Sequence, residues 1–233
     1  MANVLVAGVY MADKPNTAAH LVHQLAGSTQ HNVCQRWIAL APGGAGRFDL
    51  PCTYKVVTTP AQKFSLLDQL TEDALHFDWV LLCDDDVEVG PGFLDALICL
   101  SNKHDFALSQ PARTSDSFTD HPIVQVIPGV TARRTRFVEI GPVVCIRNDA
   151  CKLLLPFGTE VGMGWGLDFV WPVKLEDHGL RMGILDAAPI AHRIRRPAGA
   201  YDTRTAHLSM ADLLARHPYL DKNEAFTVLE VHT

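Results

Sequence analysis

The sequence of 233 residues has no apolar run approaching about 18 residues, and its start, Met1-Ala-Asn-Val-Leu-Val-Ala, carries no basic segment. Both patterns argue against a bilayer-spanning helix and a secretory leader, so the expectation is a cytoplasmic protein with no membrane span. Basic charge is scarce: Lys plus Arg number 20 against 26 Asp plus Glu, a formal net charge of −6. That balance offers no electrostatic footprint for nucleic acid or an anionic membrane, and any anionic ligand needs a metal or a local basic patch. The six cysteines (Cys34, Cys52, Cys83, Cys99, Cys145, Cys151) show no C-x-x-C spacing, which fits reduced thiols in a reducing compartment. A G-x-G-x-x-G phosphate fingerprint is missing too. The glycines of Ala41-Pro-Gly-Gly-Ala-Gly46 are punctuation between elements.

What remains is an ordinary folded composition, 48% hydrophobic and 20% charged with a mean hydropathy of +0.08, sized for one α/β domain. Its most informative stretch is Trp79-Val-Leu-Leu-Cys-Asp84-Asp85-Asp86-Val87-Glu88-Val89. The apolar run reads as a strand buried on both faces and closed by Gly90-Pro91-Gly92. Three adjacent carboxylates would be costly in a dry core, so they belong at a strand end facing water or a cation. The carboxyl ends of strands are where open α/β sheets bind ligands. A hard divalent ion shared with a diphosphate would neutralise the cluster.

Around that strand the pattern alternates. Asn3–Tyr10 predicts a first central strand, Ala18–Leu25 a helix capped by Thr17, Val33–Leu40 a second strand and Tyr54–Thr58 a third. A helix from Gln62 to Leu75 begins beside Lys63, a candidate substrate contact. Phe93–Leu100 has helical spacing, and strands are expected at Phe106–Gln110 and Gly141–Arg147. Ile123–Ile127 and Phe137–Ile140 flank Thr131-Ala-Arg-Arg-Thr-Arg136, whose three arginines could meet a phosphate or lie in water, the solvated reading being preferred. Ala150–Leu155 is helical. Next comes Val161-Gly-Met-Gly164-Trp165-Gly166-Leu167-Asp168, a glycine-rich loop ahead of an apolar helix, with Asp168 near the helix N-terminus where the macrodipole favours an ionised carboxylate. Arg181–Asp186 and Ala187–Arg193 predict a short strand pair ending on His192. The tail opens as a polar loop with Pro197 and Gly199 and becomes helical over Ser209–Arg216.

Three features thus stand in order: an Asp cluster closing a strand, a Gly-Trp-Gly-x-Asp loop, and a later lone His. In that order the chain resembles the metal-dependent glycosyltransferases of the GT-A fold, of the family 2-like group. The matching residues are Asp84-Asp85-Asp86 for the Asp-x-Asp motif, Gly141 through Arg147 for the strand before the acceptor side, Gly164-Trp165-Gly166-Leu167-Asp168 for the Gly-x-Glu-Asp loop, and Gly179 with His192 for the closing segment. The resemblance implies a mixed, mainly parallel sheet flanked by helices. It also implies one catalytic domain over residues 1–195, with a nucleotide-binding half (1–100) and an acceptor half (101–195), followed by a loop and helix extension (196–233). The reaction it implies is transfer of a sugar from a nucleotide-diphosphate-sugar to an acceptor hydroxyl, with Mn²⁺ or Mg²⁺ holding the diphosphate. Asp86 and His192 would then hold the metal, and Asp84, Asp85, Lys63 and Val9 the donor. Trp165, Gly164 and Gly166 would meet the acceptor, and Asp168 would be the base of an inverting reaction. The family's paired Glu-Asp is Leu167-Asp168 here. Aligned instead on the longer acidic run of some galactosyltransferases, Asp168 falls on the Glu and Phe169 on the Asp. Competing readings are a sugar-nucleotidyltransferase, whose Gly-rich N-terminal loop is missing from Gly8 to Asn16, and a catalytically silent domain that binds a sugar or nucleotide. A haloacid-dehalogenase-type phosphatase is disfavoured because its nucleophile normally follows the first strand.

Overall fold

The computed structural model describes residues 1–196 and 203–233. In chain order the elements are β1 (Ala2–Met11), α1 (Ala18–Ala26), β2 (His31–Leu40), β3 (Thr53–Val57), α2 (Lys63–Leu70), β4 (Trp79–Asp84), β5 (Val87–Glu88), α3 (Phe93–Lys103), β6 (Phe106–Arg113) and β7 (Ala132–Thr135). They continue with β8 (Val143–Arg147), α4 (Asn148–Leu154), α5 (Leu167–Glu176), β9 (Arg181–His192), α6 (Thr203–Arg216), α7 (Lys222–Ala225) and β10 (Val228–His232).

Alternation along β1 explains the layering. Leu5, Ala7 and Val9 pack with Phe64, Leu67 and Leu70 of α2 and with Leu154 and Trp171 of α4 and α5. Val4, Val6 and Tyr10 point the other way, to Leu21, Leu25, Leu94, Leu97 and Ile98 of α1 and α3. A strand covered on both faces has no solvated side to mark with polar residues, which is why it reads as a continuous apolar run.

The strands form one mixed sheet in the order β10-β7-β9-β6-β8-β4-β1-β2-β3. β1 runs parallel to β2 and β4, and β6 parallel to β9, while β8 lies antiparallel between β4 and β6. The short β5 turns back from β4 and pairs antiparallel with the end of β9, setting Val87 opposite His192.

Several local expectations are corrected. The helix expected over Gln62–Leu75 stops at Leu70, where the Thr71 hydroxyl donates to the Leu67 carbonyl (2.9 Å) and ends the helix. In the apolar segment Ile123–Ile127, Pro122 opens a single 3₁₀ turn, and the Ile123 and Gln125 carbonyls accept from the Arg133 guanidinium. Phe137–Ile140 joins no ladder, with Phe137, Val138 and Glu139 buried and Ile140 half-buried, and the segment before it forms β7. Of the three arginines read as solvated, Arg133 is instead buried in a pair with Asp186, while the part-exposed Arg134 and Arg136 bond Glu230 and Glu176. The two short strands expected up to Arg193 are the single strand β9. The final helix starts six residues earlier than expected, at Thr203, and β10 adds an edge strand that sequence patterning missed. Pro197 and Gly199 lie outside the described residues. The six cysteines are free, with Cys83, Cys145 and Cys151 buried, and among the described residues no helix is long and apolar enough to cross a membrane.

Candidate active site

The ends of β1, β4 and β9, the loop before β8, the start of α5 and one face of α6 enclose a cavity of about 460 Å³, within the range of small-ligand sites. Ten sequence-selected residues were Val9, Lys63, Asp84, Asp85, Asp86, Gly164, Trp165, Gly166, Asp168 and His192. All but Gly164 line it.

The three aspartates are held differently. Asp84 ends β4, where its Oδ1 meets Lys63 Nζ at 2.5 Å. Gly141 makes that ion pair possible, because a Cβ there would lie 3.1 Å from Asp84 Oδ2 and 3.3 Å from Lys63 Nζ. The Asp85 carboxylate is buried and turned inward, accepting from the Met11 N–H (2.7 Å) and from Arg195. Its oxygens tie β1 to the turn after β4, so in this state Asp85 serves the scaffold. Burial raises the Asp85 pKa against the opposing pull of Arg195.

Asp86 is the one whose carboxylate converges with the chain's later histidine. The β5–β9 ladder brings His192 Nε2 to 3.4 Å from Asp86 Oδ2, and Arg195 stands 3.1 Å from the same oxygen. Burial works to raise the Asp86 pKa, but the bond from His192 and the charges of His192, Arg195 and Lys63 outweigh it and hold the carboxyl below its ordinary value. Among the described residues no three His, Cys, Asp or Glu side chains gather as a ready-made metal cage. A carboxylate and an imidazole facing one point suit an ion that completes its shell with water and ligand phosphate oxygens, as Mg²⁺ and Mn²⁺ do.

Asp168 sits in the first turn of α5, after Gly166 in the left-handed region at φ 96°. The macrodipole argument fails here as a guide to charge. With 6% exposure and no partner for Oδ1, burial pushes the carboxyl up to about 7, although the N–H groups of Gly166, Asp168 and Phe169 pull the other way. Leu167 is buried in the core behind it, so an acid at 167 would point into the hydrophobic cluster rather than the cavity.

Trp165 stands edge-on to His207 of α6, ring centres 4.8 Å apart. Gly166 lets α6 approach: a Cβ would meet Met210 at 3.2 Å and Leu213 at 3.3 Å. Gly164 is a correction. It does not face the cavity; at φ 87° its missing side chain is replaced by the Phe64 ring, which a Cβ would approach to 2.1 Å. Gly164→Ala is therefore expected to cost about 3 kcal/mol from left-handed strain and overpacking, read as a lower urea midpoint.

Sequence reasoning missed the cavity's opposite wall: Arg113, Asp120, His121 and Glu139, along with Arg195 and His207. Glu139 lies in Phe137–Ile140, which joins no ladder, and Arg113 ends β6. Arg113 contacts Glu139 and donates to the Phe118 (2.9 Å) and Gly141 (3.2 Å) carbonyls, while the Glu139 N–H donates to Gln110 Oε1 (2.5 Å). Burial raises Glu139 to about 8 against the pull of Arg113. Nothing in the sequence marked these residues, because each is a single polar side chain that belongs to no recognisable motif.

No family model matches the chain, and no curated protein matches it in sequence. Solved structures do match. S. aureus TarS in complex with UDP-GlcNAc is 12% identical with a TM-score of 0.58, over 96% of this chain and 69% of that one. Glucosyl-3-phosphoglycerate synthase from Mycobacterium tuberculosis, in complex with Mn²⁺, UDP and glucosyl-3-phosphoglycerate, is 15% identical with a TM-score of 0.59, over 95% of this chain and 82% of that one. GalNAc-T7 with UDP, GalNAc and Mn²⁺ is 12% identical with a TM-score of 0.54, over 85% of this chain but only 44% of that one. At such identity the likeness establishes the fold: the chain has the GT-A architecture expected from its motifs.

Proposed function

We propose that this chain is a metal-dependent glycosyltransferase that moves a sugar from a nucleotide-diphosphate-sugar to an acceptor hydroxyl. The observation that carries the reading is one cavity holding both the Asp86–His192 pair and the buried carboxyl of Asp168, whose Oδ1 has no partner among the described residues. The UDP and Mn²⁺ printed for the matched structures support it.

Asp86 and His192 would hold Mn²⁺ or Mg²⁺, which when bound stabilises the charge that develops on the leaving diphosphate. Lys63, poised on Asp84 at the cavity wall, adds a second positive charge near the same oxygens. Val9, Met11, Leu40 and Ala61 supply an apolar wall for the nucleoside. Trp165 and Gly166 border the acceptor. In the step itself the acceptor oxygen forms a bond to the anomeric carbon, the bond from that carbon to the diphosphate oxygen breaks, and its electron pair leaves with the diphosphate. Asp168 takes the hydroxyl proton, and attack from its side, opposite the leaving group, gives inversion.

The test is a thermal-shift titration of UDP and UDP-sugars with and without Mn²⁺, since a ligand that binds only the folded state raises its melting temperature by mass action. A shift that needs the metal is expected. Equal shifts with and without Mn²⁺, or none, would overturn the reading. UDP binding with neither transfer nor donor hydrolysis would instead favour the silent binding domain.

A further inference from the structure

We propose that Glu139 is a second acceptor-binding carboxyl group of this cavity, and that the acceptor is a neutral molecule with at least two hydroxyls, one attacked beside Asp168 and one bonded to Glu139. The inference rests on the transferase reading and adds the class of acceptor to it.

Glu139 is 5% exposed yet lines the cavity. Its Oε2 is taken by Arg113. Its Oε1 has no donor within hydrogen-bonding distance among the described residues; His121 Nε2 stands at 3.9 Å. Asp168 brings a buried oxygen, Oδ1, without a partner among the described residues. Leaving that acceptor unsatisfied is costly, and the hydroxyls of one ligand, which both donate and accept, can meet it and Glu139 Oε1 together. Glu139 can bond a hydroxyl in either protonation state.

The charge of this wall selects against an anionic acceptor. Arg113 is 3% exposed, and its Nη atoms bond Glu139 and the Phe118 and Gly141 carbonyls. Burial lowers the His121 pKa, which disfavours its charged form. Arg196, at the rim, lies over the Phe118 ring with its guanidinium carbon 5.6 Å from the ring centre. Asp120, Glu139 and Asp168 remain facing the space. Among the described lining residues of this wall, a phosphate or carboxylate would meet these three carboxyl groups against two guanidiniums, of which Arg113 is already paired with Glu139 and Arg196 sits at the rim. The acid that Leu167 lacks is thus supplied from across the cleft.

The experiment offers UDP-sugars and Mn²⁺ with two acceptor panels, neutral glycosides and oligosaccharides against sugar phosphates and uronic acids. It is run on the wild type, Glu139→Gln and Glu139→Asp, with circular dichroism melts to confirm folding. Neutral acceptors are expected to be used, with Glu139→Gln raising their KM about tenfold or more and Glu139→Asp recovering part of the loss. Metal-dependent UDP affinity, measured by calorimetry, should stay within about twofold, because Glu139 bonds Arg113 and Gln110 rather than Asp86 or His192. Use of charged acceptors alone, or a neutral acceptor whose KM ignores Glu139→Gln, would overturn the inference while leaving the transferase reading intact. If Glu139→Gln fails to fold, the acceptor panel on the wild type and the KM of Glu139→Asp decide the matter. Loss of metal-dependent UDP binding in the wild type would sink both.

Discussion

Asp168→Asn is expected to reduce kcat/KM by about 10²- to 10⁴-fold, the usual contribution of a positioned general base, while making the protein more stable at pH 8. The two effects have one origin. The carboxyl is buried with an unpartnered oxygen, and its folded pKa of about 7 stands well above the ordinary 3.8. Between those values the folded state keeps a proton that the unfolded chain has lost. Stability therefore falls as pH rises from about 4 to about 7 and stays lowered above that. A shift of this size corresponds to at most about 4 kcal/mol, and about 2 kcal/mol is a reasonable expectation after local relaxation. Asn keeps the shape and removes the ionisation. Urea denaturation at pH 4.5 and pH 8 checks it: the variant should gain on the wild type only at the higher pH. On the wild type, kcat/KM should fall as pH drops through about 7, because the base must be unprotonated. A variant that is no more stable at pH 8 and still transfers would remove Asp168 from the role.

Asp86→Ala should abolish metal-dependent nucleotide binding, weakening UDP affinity in Mn²⁺ by about 100-fold or more, because an ion with two protein ligands loses one of them. The fold should survive. Asp85 alone bonds the Met11 N–H, and it keeps the Pro15-bound guanidinium of Arg195 when the Asp86 contact to that guanidinium is lost, so the turn after β4 keeps its anchor. His192→Ala should behave alike, and the double variant should be little worse than either alone, since the two side chains act as one unit. Calorimetry with UDP, with and without Mn²⁺, reads all three. Retention of Mn²⁺-dependent UDP binding by Asp86→Ala would exclude this pair as the metal site.

Much of this was legible in the residues, for a physical reason. A strand buried on both faces leaves an unmistakable apolar run, and three aspartates at its end have no cheap alternative to an open ligand site. Asp86, His192 and Asp168, scattered over more than a hundred positions, do line one cavity. What stayed hidden depended on partners distant in sequence. The thrift of Asp85, spent on a backbone N–H and Arg195, follows from tertiary placement alone. Gly164 is small because Phe64 arrives from α2. His121 and Glu139 lie where the chain is irregular, and Arg113 closes a strand buried throughout, so no periodicity announces them. Burial then reversed the protonation that a helix N-terminus alone would have favoured at Asp168.

The pairing of β5 with β9 has a consequence for ion selectivity. Because Val87 lies opposite His192 in the ladder, main-chain hydrogen bonds hold the backbone of residue 192 beside the turn that carries Asp86. Were an ion held between them, calcium, which gathers six to eight oxygens at longer range, would be poorly served by the imidazole nitrogen. Manganese would accept imidazole readily, so the register of β5 on β9 would bear on which ion is taken.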